Sequence, residues 1–392
     1  MDERPALRPI PRWVIWAGLP AMILLAGVAV WVLLAFAPDS AQLDAIRTGG
    51  TLGVGLGGAV ALWLAVRKQR STELDLLQKQ ESHRLAEQVA ADTREHQLRT
   101  AADAREDALA RRVTEQYGKA VDQLGSERAP VRLGGLYALE RLGQDHADGR
   151  LRQMIADVLC AYLRMPSEGS VEEAQVRRTA QKIIADHLHP VEERHWPGLL
   201  LDLSDAHLDQ VSFDGCRFGE ALFTGTNFSG VANFAGAVFD GRADFSRAHF
   251  ASPADFRGAK FANETIFDDT EFAHNATFLE IEFGGDVAFD NATFRRDAWF
   301  YKSQFSGLVT FVGISFLHYV SFRSIVFDSL VHFTGARFGG NVSFYDSQFV
   351  VPPALDDARV QVGLDDSAKS HWPEGWTLGD PEDGWAPLIR TT

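Results

Sequence analysis

The sequence is poor in what a chain needs to do covalent chemistry or to staple itself together. Cysteine occurs twice in 392 residues, at Cys160 and Cys216. That is too few for a disulfide framework or a paired-cysteine metal site, and it suits a reducing interior. No GxSxG, HExxH or P-loop pattern occurs either. A basic excess is also missing: the formal charge is −15, with 19 acidic against 10 basic residues in Leu201–Phe349 and 8 against 3 in Val350–Thr392. Direct nucleic-acid binding needs a basic footprint and is therefore not expected. Apolar residues, at 46%, are plentiful enough to rule out wholesale disorder, and the length exceeds one ordinary domain.

What is present in excess is phenylalanine, 27 residues, and its placement is periodic. Leu203, Leu208, Phe213, Phe218, Phe223 and Phe228 are spaced by five. From Phe228 the interval alternates six and five through Phe234/Phe239 to Phe344/Phe349, giving 28 centres. Two residues before nearly every centre stands a small or β-branched residue such as Ala243, Ala254 or Thr265, with Cys216 among them and Leu201 and Ile281 among the larger ones. A period of five fits neither a helix nor a flat strand, so the chain must turn a corner every five residues. Four corners close a square that buries positions i and i−2, and squares stack by pairing backbone groups. The alternating six makes a coil 22 residues long and enlarges every second corner, as at Asp240-Gly241-Arg242 and Ala251-Ser252-Pro253.

The units ANFAG, ADFSR and ADFRG (from Ala232, Ala243 and Ala254) follow A(D/N)(L/F)xx and resemble the pentapeptide-repeat family. That resemblance implies a right-handed quadrilateral β-helix, here of seven coils. It also implies one functional alternative, because some soluble members resemble B-DNA in shape and acidity and bind type II topoisomerases. Arg257, Lys260, Arg295, Arg296, Arg323 and Arg337 interrupt the acidic surface on which such mimicry would depend.

The N-terminal half reads differently. Trp13–Ala37 and Thr48–Val66 carry no charge, and Arg4, Arg8 and Arg12 precede the first while Arg67, Lys68 and Arg70 follow the second. The expectation is a membrane hairpin over residues 1–66, with helices 13–37 and 48–66, in a bacterial plasma membrane with both termini and the repeats cytoplasmic. Gly53-x-Gly55-x-x-Gly58 matches a dinucleotide fingerprint, but no strand precedes it and no βαβ unit follows. Gly49, Gly53 and Gly57 fit instead a smooth face for close helix packing, against the first span or another copy.

Residues 67–112 lack Gly and Pro and read as a long polar helix, a solvated spacer or a coiled-coil stalk. AADTRE at Ala90 recurs as AADARE at Ala101. Amphipathic periodicity then predicts a small α-helical domain over 113–190, with helices at Val131–Leu142, Leu151–Leu163 and Val176–Leu188, weakly resembling HEAT units. The order RTGGT, charged helix, VRLGGLYALERL, CAYLRMP, TAQKIIADHL and then repeats resembles membrane pentapeptide-repeat proteins of actinobacteria.

A linker at 191–200, the β-helix at 201–350 and a cap or tail at 351–392 complete a mixed fold class. Trp372, Trp376 and Trp385 stand in the tail, where they would close the open solenoid end. His187, His189 and His195 with Glu192 and Glu193 could supply metal ligands or merely form a solvated hinge. The N-x-(S/T) matches at Asn227, Asn263, Asn275, Asn291 and Asn341 are by-products of the repeat grammar. No catalytic, cofactor or metal residue is assigned.

The function expected is a membrane-tethered, non-enzymatic scaffold for an unidentified protein partner. Self-association is expected through the glycine face, the spacer helix or the rod end. Residues 22 apart stack in columns, so Arg257, Leu279, Tyr301, Arg323 and Tyr345 share one column with Trp299 beside it. Aromatic and arginine side chains grouped outward are hot-spot material, or else a seam against the tail.

Overall fold

In the computed structural model, residues 42–391 are described except 167–168, 192–193 and 364–369, together with isolated helical positions between 20 and 35. The chain divides into two compact units, residues 1–106 and 107–392.

The expected membrane hairpin is corrected. Among the described residues no helix is long and apolar enough to cross a membrane. Of residues 13–37, all but nine positions lie outside the described residues. Residues 48–66 are no separate span; they lie inside one continuous helix, α1 (Gln42–Leu124). The physical reason is composition: glycine and threonine fill eight of those 19 positions. An uncharged run is not thereby an apolar one, and spanning takes about 20 predominantly apolar residues. The integral-membrane placement, the plasma-membrane location and association through a glycine face fall with it. Between Leu74 and Leu109 the helix is exposed throughout, and i,i+4 ion pairs such as Lys79–Asp75 and Arg99–Glu95 decorate it.

Three helices follow in the second unit: α2 (Ala129–Asp145), α3 (Gly149–Arg164) and α4 (Val171–Leu188). The last begins five residues before its apolar periodicity does. Ser170 caps it by accepting from the Glu173 N–H, and Glu172 and Glu173 complement the helix dipole. Arg177, buried on α4, donates to the carbonyls of Tyr162, Leu163 and Met165 and so closes the C-terminus of α3. Glu173 ties the bundle together, accepting from Arg132 at 2.8 Å and from the Tyr162 hydroxyl at 3.0 Å. Burial, reinforced by that carboxylate, pushes the Tyr162 hydroxyl up to about 12.

From Leu200 the chain winds into a four-faced β-solenoid whose strands pair in parallel from coil to coil. The register follows the repeat length. Leu200 pairs with Glu220, 20 residues on, where the spacing is five. Asn227 pairs with His249, 22 residues on, once it alternates. Each Phe therefore lies on its counterpart: Phe228, Phe250, Phe272 and Phe294 stack at 4.4, 4.8 and 4.5 Å between ring centroids. Neighbouring ladders meet edge to face, as Phe245 and Phe256 do at 5.7 Å and 89°.

The two kinds of corner have separate causes. At a tight corner the residue two after the Phe takes a left-handed φ, for example Gly258 at +65° and Glu280 at +55°. The next N–H closes the turn onto the Phe carbonyl, as Ala259 does onto Phe256 at 3.0 Å. At an enlarged corner the backbones of successive coils nearly touch, and a Cβ on Gly307 would stand 2.5 Å from the Gly285 backbone.

Both ends of the solenoid are covered. At the first coil, Gln153 bonds the Leu200 backbone, Arg164 pairs with Asp202, and Cys216 Sγ donates to the Ala185 carbonyl at 3.5 Å. At the last coil, Arg359–Gln361 extends one face, and Trp385–Arg390 then pairs with it antiparallel, which stops parallel propagation. Trp372 lies against Phe338 and Phe344, closing the final layer of rings.

Candidate functional site: an aromatic and arginine face

Outward side chains on the solenoid are fixed by the same register as the core. Trp299 and Tyr301 flank the buried Phe300, so both point away from the core on one side of the coil. One coil further, the Arg323 guanidinium carbon sits 6.0 Å from the Tyr301 ring centre and 5.0 Å from that of Tyr345. Lys302 adds a second cation 5.1 Å from the Tyr301 ring. Arg323 thus lies between tyrosines on the coils to either side, an arrangement that presents charge and π faces together. No carboxylate among the described residues pairs with it.

Not every residue of the expected column joins this group. Arg257 is held by Asp255, with Nε at 2.9 Å and Nη2 at 2.7 Å, and that bond raises its pKa further. Leu279 is half-buried and supplies apolar surface between Arg257 and Tyr301. Tyr345, 53% exposed, touches the ring of His371 edge-on at 5.7 Å. The described part of the tail therefore reaches one end of the face through His371, while Trp372 serves the end of the core instead. Two members were not anticipated: Leu317 and Tyr319, 44% and 37% exposed, at the enlarged corner next to Trp299. The Tyr319 carbonyl accepts from Ala298, which puts it on the adjoining coil. A signal for it existed, because the same corner position elsewhere holds Val231, Pro253, Asn275, Asp297 and Asn341.

Several charged groups elsewhere on the solenoid are engaged locally. Arg217–Asp240, Arg242–Asp244, Lys260–Glu282 and Arg295–Glu271 are ion pairs. Repeat carboxylates also bond backbone: Asp244 Oδ1 caps its own turn by accepting from the Ser246 N–H at 2.9 Å, and Asp290 Oδ1 reaches the next coil to accept from the Val312 N–H. Asp268 is an exception, since partial burial and the nearby Asp290, Asp269 and Asp244 raise its pKa despite a bond from the Asp290 N–H. The histidines at the junction do not converge. His187 stacks on Trp196 at 3.8 Å with Nδ1 on the Arg194 carbonyl, burial lowering its pKa. His195 bonds the His187 carbonyl, and His189 faces Gly215. Glu192 and Glu193 lie outside the described residues.

A four-faced solenoid of stacked rings defines a repeat-built scaffold, a class that generally serves as structure or interaction surface rather than as an enzyme. Models of pentapeptide repeats match residues 202–241, 223–271, 234–281 and 267–314. Residues 202–314 thus carry pentapeptide repeats, wound as a right-handed β-helix. No curated protein and no solved structure matches the chain.

Proposed function

We propose that this protein is a non-enzymatic interaction module whose β-helix offers the Trp299, Tyr301, Leu279, Arg323 and Tyr345 face to a protein partner, with Arg257 at its rim. The observation that carries the reading is Arg323 held between Tyr301 and Tyr345 with no carboxylate partner among the described residues. An exposed arginine already ordered by two rings loses less rotamer freedom on docking, and Trp, Tyr and Arg dominate measured hot spots. A partner offering a carboxylate and an apolar ridge fits this chemistry. Mimicry of nucleic acid toward a DNA-handling enzyme such as a type II topoisomerase receives less support, because its acidic columns are interrupted by ion pairs with arginine and lysine.

The test is the pair Trp299→Ser and Tyr301→Ser, singly and together, in the full chain. Partner affinity is expected to fall by at least about tenfold per residue, with melting temperature shifted by no more than a few degrees. Unchanged affinity with a large fall in melting temperature would make the face an internal seam.

A further inference from the structure

A cleft of about 430 Å³ opens between α4 and the first coil, away from the aromatic face. One wall is a single stripe of α4, where Arg178, Gln181, Lys182 and Asp186 recur at helical spacing, continued by the C-cap His189. The other is the first-coil segment that carries Asp209 and Asp214, with the Cys216 thiol beneath. That thiol is buried and pushed up to about 12, which keeps it protonated and unreactive at neutral pH.

Two polar heads in this cleft lack partners. Gln181 is only 6% exposed, yet its Oε1 is buried and bonded to nothing among the described residues. His189 Nδ1 is buried and equally unpaired. Buried polar atoms are nearly always satisfied, and leaving one orphaned is destabilising, so two in one cavity mark a place built to receive hydrogen bonds from outside the chain. The charges around them sort by partner. Lys182 Nζ lies 2.8 Å from both Asp186 oxygens and neutralises that carboxylate. Asp209 has only a long 3.5 Å contact from Ser229, while Arg178 and Asp214 have no ion-pair partner among the described residues. What remains free is one guanidinium, two carboxylates and the hydrogen-bonding heads of Gln181 and His189.

We propose that this cleft binds a small zwitterion of the free α-amino acid class. Arg178 takes its carboxylate, Asp209 and Asp214 its ammonium, Gln181 Oε1 accepts a further ammonium N–H, and His189 supplies a further hydrogen bond to the same two groups. The volume suits it, since small-ligand sites run from about 300 to 1,000 Å³. A lone anion would leave two carboxylates facing it, and a lone cation would meet Arg178. Because the cleft joins α4 to the first coil, an occupant would also stiffen the seam between the helical bundle and the solenoid.

Thermal melts and calorimetry of the full chain, with each free α-amino acid at millimolar concentration, test the proposal. At least one amino acid is expected to raise the melting temperature by a few degrees, whereas acetate or methylamine alone should not. Arg178→Ser and Asp214→Asn, both at exposed positions, should each weaken binding at least about tenfold while leaving the unliganded melt in place. Gln181→Leu should abolish the response and, by removing the orphaned amide, raise the unliganded melting temperature. The proposal is overturned if no amino acid shifts the melt, if acetate or methylamine alone acts equally, or if the response survives in Gln181→Leu.

Discussion

Phe300 illustrates how little freedom one residue has in this core. It is fully buried, stacked between Phe278 at 4.7 Å and Phe322 at 5.1 Å, and met edge-on by Phe289. Phe300→Ala should cost about 3 to 5 kcal/mol, because parallel ladders on every side prevent collapse of the cavity. Asp297→Ala, at an enlarged corner three residues earlier, should stay within about 0.5 kcal/mol; denaturant titration of both variants checks the register. Asp268 is read by pH instead. Its folded pKa lies above the unfolded value, so its favourable contribution is complete at acid pH and lost as pH rises through the folded pKa. Asp268→Asn keeps the oxygen that accepts from Asp290 and removes that loss. The variant should melt above the parent at neutral pH and level with it in acid; a difference independent of pH would contradict the account.

At the scale of the element, the tight corner is the unit that repeats, and Gly258 isolates its conformational term. A Cβ there would touch nothing within 4 Å, while φ is +65°. Gly258→Val should therefore be less stable than Gly258→Asn by about 1 to 2 kcal/mol, a pure left-handed penalty that asparagine largely escapes. Equal stabilities in a chemical melt would mean the corner is not left-handed. The helical bundle depends instead on charge. Glu173 is shared by Arg132, Tyr162 and Arg177, and Glu173→Leu should cost about 3 kcal/mol by leaving the buried Arg177 and the half-buried Arg132 without their carboxylate.

These elements differ in how much of them the sequence discloses. The β-helix was legible to the residue, since Phe228 on Phe250 follows from counting 22. The start of α4 was hidden because Ser170 and Glu173 act through backbone capping, which apolar periodicity does not register. Residues 48–66 resemble a span because they carry no charge, yet glycine is uncharged without being strongly apolar. Of the candidate face, Tyr301, Arg323 and Tyr345 were placed by column arithmetic. The claim of Asp255 on Arg257 needed side-chain geometry, and Tyr319 needed the corner columns to be compared as closely as the faces. The cleft at Gln181 could not have been read at all, because its two walls are about 30 residues apart and meet only when α4 docks on the first coil.

For the whole second unit, a helical bundle closes one end of the β-helix, an antiparallel pair with Trp372 closes the other, and function is left to the sides. Sidedness is therefore the central claim. Photo-crosslinking amino acids placed singly at Trp299, Tyr301, Tyr345 and Tyr319, and on the far side at Ser246, Asp268 and Val312, measure it directly in cells. The account predicts adducts to one foreign protein from the first four positions and none from the last three. Adducts confined to this chain's own tail, or equal adducts from every side, would contradict it.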